Sequence, residues 1–159
     1  MPALSLRHKL TAAALALASV ALLQASAVAD RLPPAKSSRT ISLQENGSLR
    51  LTSKHEFTLN EHGRASGTIP GSIYVHLTIT STSRVSAEVN IYPPHGSVTG
   101  EATASYHRGS QTATFQGTIA IVRGSGTYAH AHGSGISFSG TIRRSDDAIT
   151  VHLGGRVSV

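Results

Sequence analysis

Ser72-Ile73-Tyr74-Val75-His76-Leu77-Thr78-Ile79-Thr80 decides the fold. Its aliphatic residues Ile73, Val75, Leu77 and Ile79 all fall at odd positions, with Tyr74, His76 and Thr78 between them. Successive side chains of an extended chain point to opposite faces, so this spacing collects the aliphatic set on one side. A helix would scatter the same set around its circumference. The stretch therefore predicts a β-strand with one buried face.

The same period recurs downstream. Val85, Ala87, Val89 and Ile91 repeat it, as do Val98, Gly100, Ala102, Ala104 and Tyr106. Ala113, Phe115, Gly117, Ile119 and Ile121 follow, then Ile136, Phe138 and Ile142, and finally Ile149, Val151, Leu153 and Val157. The turns between these runs test the pattern, because a slip of one residue in pairing would send a whole apolar set to the wrong face. Turns at Gly109-Ser110, Ser145-Asp146 and Pro94-His95 set Tyr106 opposite Ala113, Ile142 opposite Ile149 and Ile91 opposite Val98, and Ser81 to Ser83 sets Ile79 opposite Val85. Further upstream, a turn centred on His62 pairs Phe57 with Gly67 and places Leu51, Phe57 and Leu59 inside. Asn46-Gly47 is the one conflict: a tight turn there would set Leu43 opposite Arg50, which predicts a bulged loop of odd length.

Consecutive hairpins that bury one common face predict an all-β fold, an antiparallel meander of about eight strands closed as a lipocalin-like barrel. A β-sandwich is the alternative. Closure is preferred because it removes the edges at which strands of other chains could pair. The opposite face carries Thr78, Ser86, Thr103, Thr118, Thr141 and Thr150. A barrel that spans a membrane needs an apolar outer band instead, so this exterior is expected to face water.

Residues 1–29 read as a signal peptide: Arg7 and Lys9, an uncharged run from Leu10 to Leu23, then Ala27-Val28-Ala29 before Asp30. The uncharged run is shorter than the roughly 20 residues a transmembrane helix requires. Secretion with cleavage near Ala29 is expected. Residues 30–39, with Pro33-Pro34, read as a disordered leader or linker, and residues 40–159 as a single domain. The sequence has no cysteine. In an exported chain this excludes a disulfide scaffold and thiol chemistry, and leans towards a bacterial source. Losing Arg7 and Lys9 with the leader reduces the 14 basic residues to 12, against 8 acidic ones. The basic residues are scattered and aromatics are few, so nucleic acid is not expected as a partner. Weak contact with anionic cell-envelope polymers is compatible with the charge.

The segment Ile121-Val122-Arg123-Gly124-Ser125-Gly126-Thr127-Tyr128-Ala129-His130-Ala131-His132-Gly133 resembles the glycine-rich turn of the allene oxide cyclase and dirigent barrels. That resemblance implies an eight-stranded barrel whose central cavity holds an apolar or aromatic ligand. It also implies an interior carboxylate that promotes cyclisation or radical coupling. By parity, however, Glu56, Glu88 and Glu101 face solvent, Glu45 lies beside the Asn46-Gly47 turn, and Asp146 and Asp147 lie in the Ser145 hairpin. No acid is expected inside, so only the shape is carried over.

Five residues are candidates for a cavity lining: His55, Tyr106, Tyr128, His130 and His132. The tyrosines share parity with the core, where a buried phenol needs a hydrogen-bond partner. His130-Ala131-His132 could present two imidazoles, and His55 a third, to a metal ion if all three met at one barrel end. Core tyrosines and solvated histidines are the plainer reading, and neither cofactor nor metal is expected. Gly67, Gly100, Ala102, Ala104, Ala113 and Gly117 make the inner wall small, which leaves either a cavity or a very tight barrel. The function expected from these features is noncatalytic binding of a small apolar or amphipathic ligand. The alternatives are a structural, envelope-associated role with a packed interior, and an isomerase or cyclase.

Overall fold

The computed structural model describes residues 39–159. The expected signal peptide and nearly all of the expected leader lie outside them. The described chain is all β and antiparallel. Its strands are β1 (Thr40–His55), β2 (Thr58–Gly67), β3 (Gly71–Ser81), β4 (Arg84–Tyr92), β5 (Gly96–His107), β6 (Thr112–Gly126), β7 (Gly133–Arg143) and β8 (Ala148–Ser158). Each pairs with the next, and β8 returns to β1, from Thr40 opposite Ser158 to Arg50 opposite Ala148. The sheet is therefore a closed barrel, not a sandwich, and no strand is left as an edge.

The alternation read from the sequence is the one the barrel uses. Ile73, Val98, Ile119, Ile136, Ile149 and Val157 are all buried on its inside. Ile91 opposite Val98, Ile142 opposite Ile149 and Ile79 opposite Val85 are as expected. The Gly109 hairpin is longer than expected: Tyr106 lies opposite Phe115, not Ala113. A shift of two residues keeps parity, so both rings still face inward.

The first two strands depart from expectation. β1 runs straight through Asn46-Gly47-Ser48, pairing with β2 on one side and β8 on the other, so there is neither turn nor bulged loop at that point. The conflict of parity at Asn46-Gly47 arises because the chain does not reverse there. The hairpin lies instead at Glu56-Phe57, with His55 opposite Thr58 and a bulge between Leu51 and Ser53. Glu56 takes a positive φ of 50° at the tip, and Phe57 is 67% exposed instead of inside. His62, expected to centre a turn, sits within β2 opposite Arg50 and Tyr74, stacked on the Tyr74 ring at 4.3 Å.

In a closed meander, alternate connections lie at opposite ends. One end carries the hairpins β1–β2, β3–β4, β5–β6 and β7–β8. The other carries the remaining connections and is plugged. Its plug is Thr68-Ile69-Pro70, which folds across the opening and buries Ile69 to 1% exposure. Gly67 makes the crossing possible, with φ at +138° and its backbone so close to Gln44 that a Cβ would lie 2.1 Å from the Gln44 carbonyl oxygen. Ala131 and the half-buried Tyr128 cap the same end from the β6–β7 connection.

Candidate functional site

Small residues inside the upper half of the barrel leave it hollow. Ala87, Ala102 and Ala104 face inward from β4 and β5. The result is a cavity of about 710 Å³ that opens at the hairpin end, inside the roughly 300–1,000 Å³ range of small-molecule sites. Its wall is aliphatic and aromatic, with Leu51, Val75, Leu77, Phe115, Phe138 and Ile142 among the contributors. Phe115 and Phe138 approach each other across β6 and β7 with ring centroids 6.1 Å apart.

The mouth is different in character. Lys54, Arg108 and Arg144 reach the lining from three separate hairpins, against one carboxylate, Asp147. Arg144 donates to the Gly109 carbonyl at 3.1 Å, which ties two of these hairpins together. Asp146 lies in the same hairpin as Asp147, but its charge is committed elsewhere. Arg143 donates to it twice at 2.8 Å and Arg50 once at 3.4 Å. Those bonds hold its carboxyl down at about 2.

Two acids lie inside the barrel, which corrects the expectation of an acid-free interior. Glu61 follows from the true position of the hairpin: with β2 running from Thr58 to Gly67, Leu59, Glu61 and Ala65 face inward. Glu61 lies opposite Leu51 on one side and Val75 on the other, and is 7% exposed. It lines the cavity, and burial pushes its carboxyl up to about 7, with no opposing charge or hydrogen bond among the described residues to offset this. Glu45 lies deeper, on β1, and is 2% exposed. The Ile69 amide donates to its Oε2 at 2.8 Å while Oε1 has no partner. Burial raises the Glu45 carboxyl more than the amide bonds from Ile69 and Thr68 lower it.

Of the five candidate residues, Tyr106 lines the cavity, half-buried near its mouth. The other four are elsewhere. His55 ends β1 at the hairpin end and is exposed. Tyr128 packs against the core at the plugged end, its ring beside Gly96. His130 and His132 are exposed at that same end, with His132 Nδ1 2.9 Å from the His130 carbonyl oxygen. His55 is thus separated from the other two by the length of the barrel. Among the described residues no group of three His, Asp or Glu side chains is placed to hold a metal ion.

Fold and site together define a closed, eight-stranded antiparallel β-barrel with an apolar cavity that is open at one end and has the buried acid Glu61 in its wall. Comparison with protein-family models, curated proteins and solved structures finds no match to the chain.

Proposed function

We propose that this protein is an exported, noncatalytic carrier that binds one small amphipathic molecule in the barrel, tail inside and anionic end at the mouth. The observation that supports this most directly is the cavity itself, because about 710 Å³ of apolar-lined space is costly to keep empty in a well-packed domain. It weighs against the structural reading, which needs a packed interior. The lysine and two arginines at the opening favour a negative end group, to which each would contribute a charge-assisted contact. The glycine-rich segment Gly124–Gly126, which ends β6, resembles that of the allene oxide cyclase and dirigent barrels, and this resemblance favours a cavity-centred function.

Titration calorimetry with dodecanoate, dodecanol and dodecyltrimethylammonium tests the reading. One dodecanoate per chain is expected to bind, at least about tenfold tighter than the cationic analogue, with the preference shrinking at high salt. Arg108→Glu combined with Arg144→Glu is expected to abolish that preference. Failure of all three to bind saturably would overturn the proposal.

A second reading, a proton-transfer isomerase or cyclase, draws on Glu61, whose carboxyl near 7 suits exchange of a proton with a bound molecule. It predicts that a Glu61→Gln variant binds its ligand yet leaves it chemically unchanged where the wild type converts it.

A further inference from the structure

We propose that ligand uptake is coupled to protonation of Glu61, so that the barrel loads as it gains a proton and releases its ligand as it loses one. The inference rests on the binding reading and adds a regulation to it.

The geometry carries it. Glu61 is fixed in the middle of a strand, flanked in the sheet by Leu51 and Val75 and along its own strand by Leu59. Its side chain cannot swing to the surface without breaking the β1–β2 and β2–β3 ladders. None of these neighbours can accept or donate a hydrogen bond, so the ionised carboxylate can be solvated only through the open cavity. An apolar ligand that fills the cavity removes that water, and the charged form then loses its remaining solvation.

The other charged or titratable groups around it do not substitute for water. From β1, Lys54 lies at the rim and Glu45 lies deeper, already held by the Ile69 amide. β3 presents only Ile73, Val75 and Leu77 to this part of the interior. Tyr106, Arg108, Arg144 and Asp147 stand at the mouth. Burial alone governs the Glu61 carboxyl, with no contribution from the rim cations, and leaves it about 7. The free protein is then a mixture of both forms near neutrality, and the sign follows. The protonated form binds the apolar molecule better, so affinity is highest at low pH and falls as pH rises through 7.

Phenylnaphthylamine, a fluorescent apolar molecule that stays uncharged near neutral pH, is a suitable probe for the full chain. Its dissociation constant is expected to be about tenfold larger at pH 8 than at pH 6, the ratio that follows from a carboxyl at about 7. In Glu61→Gln it is expected to be independent of pH. Proton uptake by the wild type gives a second measure that needs no variant, by calorimetry in buffers of different ionisation heat. It is expected to approach one proton per ligand at about pH 8 and none at about pH 5.5. Saturable binding without pH dependence or proton uptake would overturn the coupling and leave the carrier reading standing. An equal pH dependence in Glu61→Gln would also overturn it. Absence of probe binding at every pH would overturn both.

Discussion

Glu61 and Glu45 show how two carboxylates of one sequence acquire different characters from their surroundings. Glu45 keeps the Ile69 amide bond and one orphaned oxygen, whereas Glu61 has apolar neighbours and an open cavity beside it. The stability consequence of Glu61 has a definite sign. Its carboxyl rises from 4.5 in a free chain to about 7 in the folded one, so the native state binds more protons between those values. Stability is therefore lost as pH climbs through that window, by about 3 kcal/mol in all. Urea unfolding of the wild type is expected to show this loss between pH 4.5 and pH 8, and Glu61→Gln to lack that component. Parallel pH profiles for the two proteins would refute the assignment of the loss to this side chain.

At the scale of elements, the segment that closes the floor, Thr68-Ile69-Pro70, is short and is tied to β1 by hydrogen bonds from Thr68 and Ile69. Thr68 donates its amide to the Gln44 carbonyl at 3.0 Å, Gln44 donates its own amide to Thr68 Oγ1 at 3.0 Å, and Ile69 fills the barrel end beneath. Truncating Ile69, one of the largest fully buried side chains, leaves a void that the rigid strands around it cannot collapse. Ile69→Ala is expected to cost about 2–5 kcal/mol, measurable as a shift of the denaturation midpoint with little change in slope. The same elements explain why the local sequence of β1 and β2 does not announce two strands. Asn46-Gly47 is a strong local turn signal, and Leu43, Glu45, Gly47, Leu49 reads as a strand only if an acid and a glycine are accepted as inward residues. Glu61 and Gly63 obscure β2 in the same manner. What makes those positions tolerable is remote in sequence: the Ile69 amide for Glu45, and the close approach of the Ser48 backbone for Gly63.

At the scale of the whole molecule, one end of the barrel is packed and the other hollow, so the proposed binding cavity lies apart from the densest packing. Ile69, Val98, Ile136 and Val157 form the dense end, while the alanines lie around the hollow one. Ala104 faces the cavity from β5, between Val85 and Gly117, so a larger side chain there has room to extend inward. Ala104→Phe is expected to weaken phenylnaphthylamine binding by at least about tenfold while leaving the melting temperature unchanged or higher, because it adds apolar contact to empty space. A large fall in melting temperature would mean that this end is filled in solution. The outer surface follows the opposite rule. Thr58, Thr78, Ser86, Thr103, Thr118 and Ser137 form a row of hydroxyls around most of the barrel, each opposite the next in register.

By itself the sequence determined the strand periodicity from Ile73 onward, the common buried face and the antiparallel order, because a residue's parity in an extended chain depends only on counting from a correctly placed turn. It also indicated a small inner wall at Ala102, Ala104 and Gly117. Only the tertiary structure decided that the wall encloses a cavity, that His55 and His132 lie at opposite ends, and that an acid faces inward. Those outcomes depend on β8 meeting β1 and on where the first hairpin turns. Both are set by the summed packing of the closed sheet, which can override the low strand propensity of Asn46 and Gly47, on a scale that spans about 1 kcal/mol.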